Sequence, residues 1–316
     1  MPISTYPNGF RNGITIRGIP IVNTHPGEVY WVNNSSVLAK SGVGGSDGND
    51  GTYLRPFSTI AKAVAAATAS RGDVVMVMPG HAESVAAAAG LAFTKAGLAV
   101  IGLGTGTLRP TITLTTATTA TITVSAANVT LSNFRIIGGF ADVAVAIGVT
   151  GTNCHLDQIE FLDLVADLYF VNYISCSGAD YTDDVLRITG CRGTAIDSAQ
   201  DSFLIHTGSI DRLVFADNFY SSTHANTLGM IVSATGKLLT DCLVVDNYMN
   251  APGKIAGDLL IDNDATTNTG IVARNLIGHA DTVGEVLVDC DGVRQFANLG
   301  TATDTASGYI LPVIDS

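Results

Sequence analysis

The sequence predicts an all-β chain wound as a stacked solenoid, and three observations carry that reading. The first is composition. Of 316 residues 34 are Gly, only 14% are charged, and Glu occurs only at positions 28, 83, 160 and 285. Wealth in Gly, Thr, Val, Ile and Asn with so little Glu and Lys favours strands and tight turns over helices. The second is a series of short β runs from Gly97 onward: Ala99-Val-Ile101, Thr111-Ile-Thr-Leu114, Thr121-Ile-Thr-Val124, Val129-Thr-Leu131 and Phe134-Arg-Ile-Ile137. The third is internal repetition. Val214-Phe-Ala-Asp-Asn218-Phe219 matches Leu243-Val-Val-Asp-Asn247-Tyr248 and Ile271-Val-Ala-Arg-Asn275-Leu276, with the Asn residues 29 and 28 positions apart. Leu131-Ser-Asn-Phe134 parallels Leu156-Asp-Gln-Ile159 at a spacing of 25. A period of roughly 22–30 residues holding two or three short strands marks a solenoid, in which each coil adds one strand to each of several parallel sheets.

Taken in order, residues 1–44 form an extended arm outside the repeat. It carries Pro2, Pro7, Pro20 and Pro26, the aromatics Tyr6, Phe10, Tyr30 and Trp31, and the alternating Ile14, Ile16, Ile19 and Ile21. Aromatics spaced along a Pro-containing segment make poor core and good interface anchors. Ile14-Thr-Ile16 can add a strand to a partner's sheet edge. Those eight residues are the candidate partner-binding set; the alternative is an arm that covers its own solenoid. A Gly-rich loop over 41–51 follows. A helix is predicted over about 58–70, capped by Ser58, with Ile60, Ala63, Val64 and Ala67 on one face and Gly72 beyond its end. Asp73-Val-Val-Met-Val-Met78 reads as a strand, and Ser84 to Ala89 as a second short helical piece. Residues 45–316 then form one solenoid domain of about seven or eight coils. Asn218, Asn247 and Asn275 are predicted to stack as an amide ladder; the alternative is three independent turn residues. The C-terminal Tyr309-Ile-Leu-Pro-Val-Ile314 is too apolar to hang free and is expected to cover the open end or pack between protomers.

Charge and cysteine content narrow the function classes. The net charge of −12 repels phosphate backbones, so nucleic acid is not expected as a partner. The most apolar stretch, Val85 to Gly104, is broken by Thr94, Lys95 and several Gly, so no membrane span is expected. Five Cys (154, 176, 191, 242 and 290) are an odd number with no close pair, which suits free buried thiols in a reducing compartment. The N-terminus lacks a basic region followed by an apolar stretch, so no secretory signal is expected.

A family resemblance lies in a run of motifs. Asp47-Gly-Asn-Asp-Gly-Thr52, Arg55-Pro-Phe-Ser-Thr-Ile60, Gly72-Asp73-Val-Val and Pro79-Gly-His-Ala-Glu83 resemble the opening of right-handed parallel β-helix proteins of the pectate-lyase-like superfamily. The run from His81 through Gly102-Leu-Gly104, Arg109-Pro-Thr-Ile-Thr113 and Ala126-Ala-Asn-Val-Thr130 resembles a version found in tailed-phage virion proteins. The likeness covers about residues 45–140 closely. It implies a right-handed parallel β-helix whose N-terminal end is plugged by the helix near 58–70.

Because many β-helix proteins act on polysaccharides, paired carboxylates come first among candidates for chemistry. The pairs are Asp157 with Glu160, Asp163 with Asp167, Asp183 with Asp184, and Asp217 with Asp246. Residues 217 and 246 are one repeat apart, so they can stack at about 4.8 Å, close to the carboxyl spacing of a retaining glycosidase. Asp before Asn at a turn is equally what a solvated turn prefers. With one Trp in the chain and no long insertion between coils, sugar platforms and cleft walls are missing. Arg187 and Arg192 beside Asp183 and Asp184 could serve a lyase, or be a surface ion pair. His81-Ala-Glu83 lacks the cysteine pair of a zinc deaminase. Gly102-Leu-Gly104-Thr-Gly106 is followed by no helix, so it is a coil turn rather than a dinucleotide loop. No metal, cofactor or catalytic residue is expected from the sequence, nor enzymatic activity.

The function expected is structural: a homotrimeric capsid decoration or cement protein of a tailed phage. It would be made in the host cytoplasm, assembled on the particle surface and held to the major capsid protein or another virion protein through its arm. The alternative is a tailspike or receptor-binding fibre that binds or cleaves host surface polysaccharide. A bacterial β-helix enzyme is a third reading.

Overall fold

The computed structural model of the chain describes residues 14–16, 19–21, 27–35, 42–165, 167–177, 185–196, 202–222, 229–251, 260–263, 265–279, 288–302 and 307–309. Three parallel sheets wind around one apolar interior in about seven turns. The first sheet has ten strands, from Val29–Val32 and Val74–Val77 to Arg294–Phe296. The second also has ten, beginning at Ala82–Val85 and closing with Leu299–Ala302 and the antiparallel Ser307–Tyr309. The third has eight, from Leu91–Phe93 to Val288–Cys290.

Inward columns explain why the repeat folds this way. On the first sheet Val75, Val100, Leu131, Leu156, Ile188, Phe215, Val244 and Val272 lie in register, each at most 3% exposed. Ile122, Ile147, Ile174, Leu204, Ile231 and Ile261 do the same on the third. Like stacks on like because each coil meets only its neighbours, so one inward methyl-rich position repeated many times builds a continuous core. Gly193 breaks the second sheet's column for a packing reason: a Cβ there would stand 2.2 Å from the Tyr173 ring. That ring stacks on Phe161 at 4.8 Å.

First and second sheets meet at a tight turn whose leading residue is left-handed in successive coils: Asn133, Gln158, Gly190, Asp217, Asp246, Arg274 and Ala297 all have φ between 51° and 63°. The residue after it points inward. Asn218 Nδ2 donates to Asn247 Oδ1 at 3.1 Å, Asn247 to Asn275 at 2.9 Å, and Asn275 to Asn298 at 3.0 Å. Each Nδ2 also donates to a main-chain carbonyl of the preceding coil, and each Oδ1 accepts a main-chain N–H. A left-handed non-glycine residue costs about 1 kcal/mol, and the buried amide bonds beside it offset that cost.

The N-terminal end departs from the sequence reading in three places. The helix runs Ile60–Ala66, shorter than 58–70, and its cap is Thr59, whose hydroxyl accepts from Lys62 N–H. Asp47 accepts from the N–H and hydroxyl of both Ser58 and Thr59, and the cap falls on the second of them, one residue later than the sequence suggested. The helix stops because the Asp73 carboxylate takes the Thr68 N–H at 2.7 Å. The second helical piece, Ser84 to Ala89, does not form: Ser84 and Val85 end the strand Ala82–Val85, which pairs with Thr111–Leu114, and residues 86–89 turn the chain, with Gly90 N–H donating to Ala87 O. Thirdly, the solenoid starts before residue 45. Val29–Val32 pairs in parallel with Val74–Val77 as its first strand. Ile60, Ala63 and Val64 of the helix are buried against this end, packed on strands of the first and third sheets.

All five cysteines are free and buried. Burial pushes the Cys176 and Cys191 thiols up to about 12 and Cys242 to about 11. Thiolates are therefore scarce near neutral pH. A disulfide-exchange thiol reagent at pH 8 is expected to modify none of the five in the native protein and all five after denaturation.

Candidate functional site

The corner carrying the asparagine ladder separates two outward columns, and both change character at the same coil. On the second sheet the outward residues in register are Arg135, Glu160, Arg192, Phe219, Tyr248, Leu276 and Leu299. On the first they are Thr130, His155, Arg187, Val214, Leu243, Ile271 and Arg294. Thr130, His155 and Arg187 on the first sheet and Arg135, Glu160 and Arg192 on the second are polar; the residues that follow them are apolar, up to Arg294, which closes the first column with a charge.

In the apolar part Phe219, Tyr248, Leu276, Leu299, Leu243 and Ile271 are each 37–40% exposed. Phe219 and Tyr248 stack ring on ring at 5.2 Å, so they form a ridge along the axis with edges outward. Across the corner a groove of about 480 Å³ opens beside Leu243 and Ile271, floored by Gly270 and bounded by Asp241, Gly292 and Arg294. Gly270 has φ +139, and a Cβ on it would sit 2.2 Å from the Cys242 carbonyl oxygen, so the groove's floor is set by backbone contact.

The polar part holds two networks on different sheets. On the first, Asp157 accepts from Ser132 and Thr189 hydroxyls at 2.9 Å each, and Thr189 accepts from His155 Nε2 at 2.8 Å. Burial lowers the His155 pKa, against the raising effect of Asp157, so the ring is neutral near pH 7. On the second, Glu160 is held by Arg135 Nε at 2.8 Å, Arg192 Nη2 at 2.5 Å and Arg109 Nη1 at 3.4 Å. Burial raises the Glu160 pKa, but the guanidinium contacts outweigh it and hold the carboxyl below its usual range.

The residues singled out in the sequence are dispersed. Tyr6 and Phe10 lie outside the described residues. Ile14–Ile16 pairs antiparallel with Ile19–Ile21, so these two strands take each other as partners. Tyr30 and Trp31, assigned to the arm, belong to the first coil. Tyr30 donates to Ala66 O at 3.2 Å, and Trp31 packs edge-on against Tyr53 at 4.9 Å. Asn218, Asn247 and Asn275 are interior ladder members, joined by Asn298, which the repeat comparison missed because Ala297 stands where the others have Asp or Arg.

Of the carboxylate pairs, Asp157 and Glu160 point out from different sheets. Asp163 is buried, bound to Phe170 N–H and the Tyr173 hydroxyl, while Asp167 is exposed. Asp183 and Asp184 lie outside the described residues. Asp217 and Asp246 occupy successive left-handed turn positions, and Asp246 is taken up by a bidentate Arg274 at 2.6 and 2.7 Å. The His81-Ala-Glu83 motif is a brace. His81 Nδ1 accepts Asn34 N–H, its Nε2 lies 3.2 Å from Glu83, and Glu83 accepts the N–H of Ile60 at the start of the helix. Among the described residues no group of three or more His, Cys, Asp or Glu is placed to hold a metal ion, and no helix is long and apolar enough to cross a membrane. The outward apolar columns went unnoticed in the sequence. Their signal was the large apolar residue after each ladder Asn, read there only as part of the repeat.

No family model matches the chain, and no curated protein matches it. A solved structure of a rhamnogalacturonan lyase aligns with 80% of this chain and 70% of its own, at 15% identity and a TM-score of 0.45. The parallel solenoid itself stands on the strand register above. The exclusion of enzymatic activity is corrected here. The solenoid matched is a lyase by name, and one architecture hosts many activities, so the fold gives no ground for that exclusion.

Proposed function

We propose that the chain is a structural component of a tailed-phage particle and works as a closed ring of three solenoids joined along the ladder corner. The observation that carries this reading is the groove on one side of the corner and the apolar ridge on the other, both confined to the last coils. Contiguous exposed apolar surface in a soluble chain marks an interaction site. A two-fold dimer needs one self-complementary patch, whereas two different faces meeting at an edge suit a heterologous contact. The ridge of one copy enters the groove of the next, and the contact closes into a ring. The number three and the particle come from the resemblance of residues 45–140 to phage virion proteins. The partner on the particle is the major capsid protein or another virion protein, reached through the N-terminal residues.

A second reading, a fibre that holds host surface polysaccharide, is favoured by the guanidinium-rich head of the same column, which suits acidic sugars.

Placing charge on both faces tests the first reading. Leu243→Asp with Tyr248→Asp is expected to leave the β-rich circular dichroism spectrum unchanged. It should reduce the assembly to single chains and abolish its recovery with purified particles. Unchanged mass and unchanged recovery would contradict the reading.

A further inference from the structure

We propose that Arg109, Arg135 and Arg192 form a binding site for a tetrahedral dianion, a phosphate or sulfate group, either free or as an ester on a polymer. The inference stands apart from the trimer. Three guanidiniums surround a single carboxylate, leaving a local charge of +2 on a chain whose net charge is −12. The centre of the cluster is largely shielded: the Glu160 and Arg109 side chains are 14% and 16% exposed. Excess charge withdrawn from water is unfavourable unless a counter-charge meets it. Only three hydrogen bonds join these guanidiniums to Glu160, although each guanidinium carries five donors. Arg109 Nε is buried and has no partner at all. Its pKa is lowered by burial and by repulsion from Arg192 and Arg135, against the pull of Glu160.

A dianion matches the residual +2, and its several oxygens suit forked guanidinium donors. Arg192 is 55% exposed and gives the site its access to solvent. Arg135, Glu160 and Arg192 sit on adjacent strands, so the site spans about 10 Å along the axis, long enough for one ester group of a polymer.

The test is calorimetric titration of the full chain with sodium sulfate, sodium phosphate and dextran sulfate, with uncharged dextran as control. Saturable binding of sulfate and phosphate is expected. Arg192→Ala, at an exposed position that the fold tolerates, should weaken it about tenfold or more. Glu160→Gln should strengthen it, because the local charge rises to +3, whereas a purely structural ion network would lose only stability. Arg187→Ala, on the other sheet, should change nothing. Tighter binding of dextran sulfate than of free sulfate assigns the site to a polymer-borne ester, and equal affinity assigns it to the free ion. Absence of saturable binding, or equal affinity in the wild type and Arg192→Ala, would overturn the proposal.

Discussion

Asn247→Leu is expected to lower the free energy of unfolding by roughly 4 kcal/mol or more, read from the midpoint of a urea titration with an unchanged slope. The Asn247 side chain makes four hydrogen bonds in the ladder. Its Oδ1 accepts Asn218 N–H and Nδ2, and its own Nδ2 donates to Phe215 O and Asn275 Oδ1. Leucine has about the right volume but leaves those buried partners unsatisfied, and each costs about 1–3 kcal/mol. The position is interior to the ladder, so water cannot substitute. A loss below about 1 kcal/mol would show that the amide column contributes little.

Mild acid is expected to destabilise the protein through one ring. His206 is fully buried, and its Nδ1 faces the Gly208 carbonyl at 3.0 Å. A carbonyl only accepts, so Nδ1 carries the proton and Nε2 accepts from the Ser233 hydroxyl. Burial lowers the pKa from 6.5 to about 4, against the smaller raising effect of the Gly208 bond. Between these values the unfolded chain binds the proton and the folded chain does not, so stability rises with pH there. The contribution is complete above pH 6.5, falls as pH drops, and is lost below about 4. The difference amounts to about 3 kcal/mol. Urea titrations at pH 7 and pH 4.5 measure it. His206→Gln, which cannot titrate, is expected to flatten that part of the profile.

The solenoid was legible in the sequence because inward positions repeat with a nearly constant period, as Phe215, Val244 and Val272 show through their shared register. What was illegible had non-local causes. Tyr30 and Trp31 looked like arm residues because the partner of their strand lies 45 positions later, at Val74–Val77. The alanines after Ser84 suggested helix, while the strand before them is fixed by its register with Thr111–Leu114 and residues 86–89 turn toward the next strand. Ser58 looked like the cap, but Asp47, 11 positions before it, anchors Ser58 and Thr59 alike and the cap is Thr59. For the candidate site the difficulty was different. Large apolar residues are ordinary in a β-helix repeat, and sequence cannot tell that Phe219 and Tyr248 point outward while Phe215 points in. Nor could it show Arg109, Arg135 and Arg192 converging on Glu160, since 51 positions separate Arg109 from that carboxylate.

Sedimentation equilibrium of the wild-type chain at micromolar concentration and moderate salt tests the central claim most directly. If ridge and groove close a three-membered ring, the mass is 3 × 32.6 kDa, about 98 kDa, and does not change on dilution through that range. A single species of 32.6 kDa would contradict the account.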